Sequence, residues 1–146
     1  MTTAADPTSV EDCVLCQIVE RRLGVRPVAE TERIFAVMND LEPQASGHVL
    51  LFPKRHAATL DGVDDEDLSE ILVLTKRIAR AMGARNYNVL HNSGALAGQT
   101  VFHVHFHLIP KWSDADGLRY QWETGRTVTQ TELYRTLREA LSRKDG

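Results

Sequence analysis

The chain has 146 residues, 42% of them hydrophobic and 25% charged, with a formal net charge of −3. That length favours one domain with a buried core, and the balance is ordinary for a globular protein. No Lys/Arg block, no apolar run near the roughly 18 residues of a membrane span and no signal-peptide pattern is present, so we expect a soluble cytoplasmic protein with neither nucleic acid nor membrane as partner.

Residues 1–10 are small and polar and read as a flexible tail; residues 11–146 read as a single domain, with an extension after Trp112. The only two cysteines, Cys13 and Cys16, have the spacing of two thiolate ligands, and two histidines from elsewhere would complete a tetrahedron. A redox pair fits less well, because no thioredoxin-like βαβ pattern surrounds them. Two small buried residues on a helix would also give the spacing, and spacing alone does not choose the histidines. Val14, Ile18 and Val19 at helical offsets predict a short helix from Cys13 to Arg22, ending near Gly24.

Arg33–Met38 and His48–Pro53 read as strands joined by the turn-rich stretch 39–47, a hairpin with a long loop. Asp64 to Met82 is the clearest helix, with Leu68, Ile71, Leu72, Thr75, Ile78, Ala79 and Met82 on one stripe. Its acidic start, Asp64 to Asp67, suits the helix N-terminus and reads as a solvated first turn rather than a metal site. Gly83 is a stop signal. Tyr87–His91 reads as a strand and residues 92–100 as a loop with two glycines. Residues 111–128 are irregular. Thr129 to Glu132 has the capping-box pattern, and a final helix follows with Leu133, Leu137, Ala140 and Leu141 inward. Antiparallel strands with a few helices make the class α+β.

The informative stretch is Val101 to Pro110. Read as a strand, it puts Phe102, Val104, Phe106 and Leu108 on one face and His103, His105 and His107 on the other. Same-face neighbours lie roughly 6.5–7 Å apart, too far to share one metal but close enough to line one pocket. A single strand histidine is usually just a satisfied polar side chain. Three in a row behind an apolar face are hard to explain by packing. All six histidines fall between residues 48 and 107. Neutral imidazole is a good nucleophile near pH 7. Attack on an α-phosphate would give a covalent phosphoramidate, and the developing charge needs preset donors. The loop Gly94 to Thr100 could supply them, with Gln99 and Thr100 as side-chain donors, although a plain connector explains the loop too. His91 has no role that the sequence supplies.

His103-Val-His105-Phe-His107-Leu-Ile resembles the signature of the histidine-triad (HIT) nucleotide-binding family. Cys13-Val-Leu-Cys16, Asn39 to Gln44, Gly47 to His56 and Ala97 to Phe102 look like family blocks in family order, so the resemblance covers roughly residues 12 to 112. It implies a HIT-like fold: an antiparallel sheet of about five strands, a long amphipathic helix and a C-terminal helix. It also implies a nucleotide hydrolase that cleaves the bond from the α-phosphate to its leaving group, in phosphoramidates or dinucleoside polyphosphates, through a nucleotidyl-histidine, releasing AMP or GMP. His105 would be the nucleophile and His107 would contact the α-phosphate and help the leaving group. Asn92, Gly98, Gln99 and Thr100 would hold phosphate oxygens. Asp40 would take the ribose hydroxyls, Leu41 would lie beside the purine base, and His48 would sit behind the triad. A structural Zn²⁺ would be held by Cys13, Cys16, His56 and His103, away from the nucleophile. The family is typically a homodimer. Asn39, where many members carry His or Leu, and Lys111-Trp112 after the proline are mild departures. A zinc-stabilised nucleotide-binding module without catalysis, and a nucleotidyltransferase or phosphorylase, are the competing readings; the intact middle histidine speaks against the first.

Overall fold

The structure, a computed structural model, describes residues 9–123, 125 and 129–143. The first eight residues of the expected tail, and part of the irregular stretch before residue 129, lie outside that set. In chain order the elements are helix α1 (Val14–Val19), strands β1 (Ala29–Glu30), β2 (Ile34–Met38) and β3 (Val49–Pro53), helix α2 (Asp65–Ala81), strands β4 (Tyr87–His91) and β5 (Phe106–Pro110), and helix α3 (Thr131–Ser142). The five strands form one antiparallel sheet in the order β1-β2-β3-β5-β4, the α+β architecture that the sequence implies.

Strands β2 and β3 carry almost unbroken apolar runs because both faces are covered. On one face Ala36, Val49, Leu51, Phe106 and Leu108 pack against Ile71, Leu74 and Ala79 of α2. On the other, Phe35, Val37 and Phe52 pack against Leu15, Cys16 and Ile18 of α1. Helix α1 is short and covers only part of its face. The register Leu50↔His107↔Leu90 carries that same face onward across β5 and β4. The functional cavity lies there.

Helix α2 departs from its expected stripe: Leu72 is half exposed and Leu74 is buried in its place. Its first turn is not wholly solvated either. Asp67 is 4% exposed and pairs with Arg33 at 3.0 Å, while Glu66 takes the other arm of the guanidinium. The helix ends as expected. Gly83 has φ +72, its N–H donates to the Arg80 carbonyl and the Ala84 N–H to the Ala79 carbonyl, a paired closure of the last turn.

Other expectations fail. The capping box at Thr129 does not form; the helix begins one residue later, after Gln130, with no side-chain cap. No residue of α3 is buried, and Leu133, Leu137 and Leu141 face solvent because no described element packs over them. The other difference is in the histidine stretch. The β5 ladder starts at Phe106, not at Val101. Residues 101–105 bend away from the sheet, and the Val104 N–H donates instead to the Ala57 carbonyl at 2.8 Å.

Candidate functional site

The bend before β5 separates the three histidines. His107 stands on the sheet, opposite Leu50 and Leu90. His105 lies just before it, the two rings 5.1 Å apart. His103 is fully buried, turned toward α1. The expected single row lining one pocket is therefore corrected: two rings line the cavity and the third faces the cysteines.

Hydrogen bonds to groups of fixed polarity settle the tautomers. His105 Nδ1 lies 2.7 Å from the His103 carbonyl, which only accepts, so Nδ1 carries the proton and Nε2 keeps its lone pair. The Gln44 N–H donates to His48 Nδ1 at 3.1 Å, so His48 Nε2 carries its proton and donates to His107 Nδ1 at 3.0 Å. His107 Nε2 is then an N–H donor. One imidazole thus presents a nucleophile and its neighbour a donor. Burial pushes His107 down to about 4, and the rings of His105, His48 and His91 oppose a further charge; burial also lowers His105 and His48.

The rings open onto a cavity of about 240 Å³, whose lining includes His48, Asn92, Gly98, Thr100, His105 and His107. Asn39, Glu42, Gln44, Leu90, Ile109 and Leu118 complete the wall. None of these six stands out as a site residue in the sequence, although Asn39 and Gln44 belong to a recognisable block. Gly98 has φ +90, a conformation that favours glycine, and it sits against Asn92. Gln99 is not in the wall. Its side chain is buried and staples the loop, donating to the Ala58 and Val101 carbonyls at 2.6 and 3.0 Å and accepting from the Gly94 N–H at 2.7 Å. These bonds hold the loop that Gly98 and Thr100 present. Asp40 lines an adjoining depression of about 410 Å³ that shares Asn39, Gln44 and His48 with the cavity. Leu41 is 95% exposed and lines neither hollow. His91 donates from Nδ1 to the His105 carbonyl at 3.0 Å and stacks on Phe106, 4.6 Å between centroids.

Behind the His105 backbone, the Sγ and Nδ1 atoms of Cys13, Cys16, His56 and His103 all lie within 4.8 Å of one another. Cys13 Sγ and Cys16 Sγ are 3.3 and 3.5 Å from His103 Nδ1, and the two Nδ1 atoms are 3.2 Å apart. Bond lengths of about 2.3 Å to sulfur and 2.0–2.1 Å to nitrogen give tetrahedral edges of roughly 3.3–3.8 Å, so the donor set fits zinc. His103 Nε2 donates to the Pro53 carbonyl at 2.7 Å, which leaves its Nδ1 lone pair facing the sulfurs. Without a cation this is a poor place for charge: burial pushes Cys16 up to about 12, and the neighbouring Cys13 adds to the rise.

Residues 25–114 match the HIT domain family. The Saccharomyces cerevisiae protein named adenosine 5'-monophosphoramidase HNT1 is 38% identical over 134 residues, covering 92% of this chain and 84% of the yeast chain. A Schizosaccharomyces pombe protein of the same name is 43% identical over 110 residues, covering 75% of this chain and 82% of its own. A solved histidine triad nucleotide-binding protein from Candida albicans superposes with a TM-score of 0.82 at 35% identity, covering 92% of this chain and all of the other. The chain belongs to the HIT domain family.

Folded-state values below the ordinary histidine value of 6.5 have a consequence for stability. Between pH 4 and 6.5 the unfolded chain binds more protons than the folded one, so stability rises with pH across that window and is lost on acidification. The thermal midpoint should fall by roughly 5–10 °C from pH 7 to 4.5, from about 1.36 kcal/mol per pKa unit and about 2–4 °C per kcal/mol. Calorimetry of His107→Gln checks the cause: its slope should be shallower, and an unchanged slope would contradict the assignment.

Proposed function

We propose that the chain hydrolyses nucleoside 5'-monophosphoramidates through a nucleotidyl-His105 intermediate, releasing AMP or GMP. The observation that carries this reading is the paired tautomers: His105 Nε2 unprotonated and His107 Nε2–H donating, beside a glycine-containing loop. His105 Nε2 attacks the α-phosphorus. The P–N bond breaks, and the amine leaves with a proton taken from solvent at its nitrogen, hydrogen-bonded by His107. Water then attacks the same phosphorus and gives up a proton to solvent, the bond to His105 breaks, and the monophosphate departs. Asn92, the Gly98 backbone and Thr100 hold phosphate oxygens, as preset donors should. Asp40 in the adjoining depression takes the ribose.

The same reading places structural zinc on Cys13, Cys16, His56 and His103, supported by the donor geometry. Bound there, it fixes His103, whose carbonyl orients His105. We also read a homodimer, supported by the open outer edge of β4, and a cytoplasmic location, where a reducing environment preserves the thiolates. Sedimentation and fractionation read these two. Among the described residues no helix is long and apolar enough to cross a membrane.

A substrate panel tests the activity. Adenosine and guanosine phosphoramidates should be cleaved with a kcat/KM at least tenfold above that for dinucleoside polyphosphates. Tight AMP binding with no cleavage of any of them would overturn the proposal in favour of a binding module.

A further inference from the structure

His91 is the one histidine without a part in either cluster. It closes β4 and pairs with Phe106, the first residue of β5. That pair is the last rung on the β4 side, and Leu51↔Phe106 is the last on the β3 side. His105 lies just beyond both. The chain before it has left the sheet, since the Val104 N–H donates to the Ala57 carbonyl at 2.8 Å. A carbonyl past the end of a ladder must find its donor elsewhere. For His105 the donor is a side chain, His91 Nδ1, at 3.0 Å. The bond runs inward, from β4 toward β5, within one chain. It stands whatever covers the outer edge of β4.

Packing alone does not explain an imidazole at this position. The ring stacks on Phe106, 4.6 Å between centroids and 21° between planes, and Phe106 belongs to the core against α2. A phenylalanine would stack as well. The carbonyl only accepts, so His91 Nδ1 carries the proton and Nε2 keeps a lone pair. That Nε2 is buried and, among the described residues, has no donor. A buried acceptor left so lowers stability, a loss that phenylalanine would not incur. What the imidazole adds is the bond from Nδ1. With it His105 is held at two ends, its ring by the His103 carbonyl at 2.7 Å and its own carbonyl by His91. Ring and main chain are then both fixed, and together they set where His105 Nε2 points. Attack in line on phosphorus depends steeply on that direction.

We infer that His91 is a positioning residue of the active site, aiming His105 at the phosphorus through the main chain. It acts from behind, since the cavity wall does not include it. The role rests on the proposed attack by His105 and adds the side chain that steers it.

His91→Phe and His91→Asn separate aim from packing. Phenylalanine keeps the stack and loses the donor. Asparagine loses the stack and offers an amide N–H near the place of Nδ1. On an adenosine phosphoramidate, His91→Phe should lower kcat roughly tenfold, the scale of one hydrogen bond, with KM within about twofold. His91→Asn should bring kcat back to within about threefold of the wild type. Thermal midpoints should run the other way, His91→Phe at or above the wild type and His91→Asn below it. A side chain serving only stability would make turnover follow the midpoint. Turnover in His91→Phe equal to or above that in His91→Asn therefore overturns the assignment, as does a loss in KM alone. Ring-nitrogen NMR of the histidines in the zinc-loaded protein needs no turnover, and so separates this failure from failure of the hydrolysis. His91 should be protonated at Nδ1 in the wild type. The His105 ring signals should shift or broaden in His91→Phe and return in His91→Asn, which upholds the role even where nothing is cleaved. His91 protonated at Nε2 instead, or His105 signals that stay put in His91→Phe, overturns it.

Discussion

His105→Asn should lower turnover of an adenosine phosphoramidate by roughly 10³-fold or more, while AMP affinity stays within about threefold and the thermal midpoint is nearly unchanged. The size follows from losing the nucleophile: the covalent route closes, and what remains is binding and orientation. Affinity should persist because Asn92, Gly98, Thr100 and His107 line the cavity independently of that ring. His107→Ala makes the contrast. It should cut kcat by a smaller factor, on the order of 10², because it removes a hydrogen-bond donor rather than the attacking atom. Steady-state kinetics beside calorimetric AMP titration reads both. Equal, small losses in the two variants would contradict the division of labour drawn from the tautomers.

Removing the metal should have the larger structural effect. The protein as isolated should hold about one zinc per chain, and Cys13→Ser or Cys16→Ser should lose it. Losing a zinc tetrahedron leaves the buried His103 ring, the half-buried His56 ring and a thiol without their organising partner. A loss of about 3–5 kcal/mol corresponds to roughly 6–20 °C in thermal midpoint for a chain of this size. Turnover should fall too, since the carbonyl that sets the His105 tautomer belongs to His103, one of the four residues of the donor cluster. Elemental analysis, thermal melting and a chelator titration check this. A zinc-free protein of undiminished midpoint would overturn the metal assignment.

Much of this was legible in the chain itself, for physical reasons. The runs Ile34–Met38 and Val49–Pro53 could only be buried strands, and the long acidic-headed segment ending at Gly83 could only be an amphipathic helix. What alternation could not foresee was the bend at residues 101–105. Period-two reasoning assumes a ladder, but Val104 bonds to Ala57 instead, and this turns His103 toward the cysteines while His105 and His107 stay in the cavity. Nor could the sequence foresee where the Gln99 side chain goes: a polar side chain in a glycine-rich loop can as easily staple the loop as face a ligand, and here it makes three hydrogen bonds within the loop and to its neighbours. Strand β1 has only two residues and leaves no periodic trace. The apolar stripe of α3 was visible, but a stripe does not say what covers it, and in the single chain nothing described does.

The account depends most on a bond between the His105 imidazole and a nucleotide phosphorus. Rapid acid-free quenching of the wild-type protein with an adenosine phosphoramidate, followed by intact and peptide mass spectrometry, reads that bond directly. The account predicts a transient mass gain of one adenylyl group on the peptide containing His105, absent from His105→Asn. Full turnover with no adduct at any time, or an adduct on His107 or His103 instead, would contradict it.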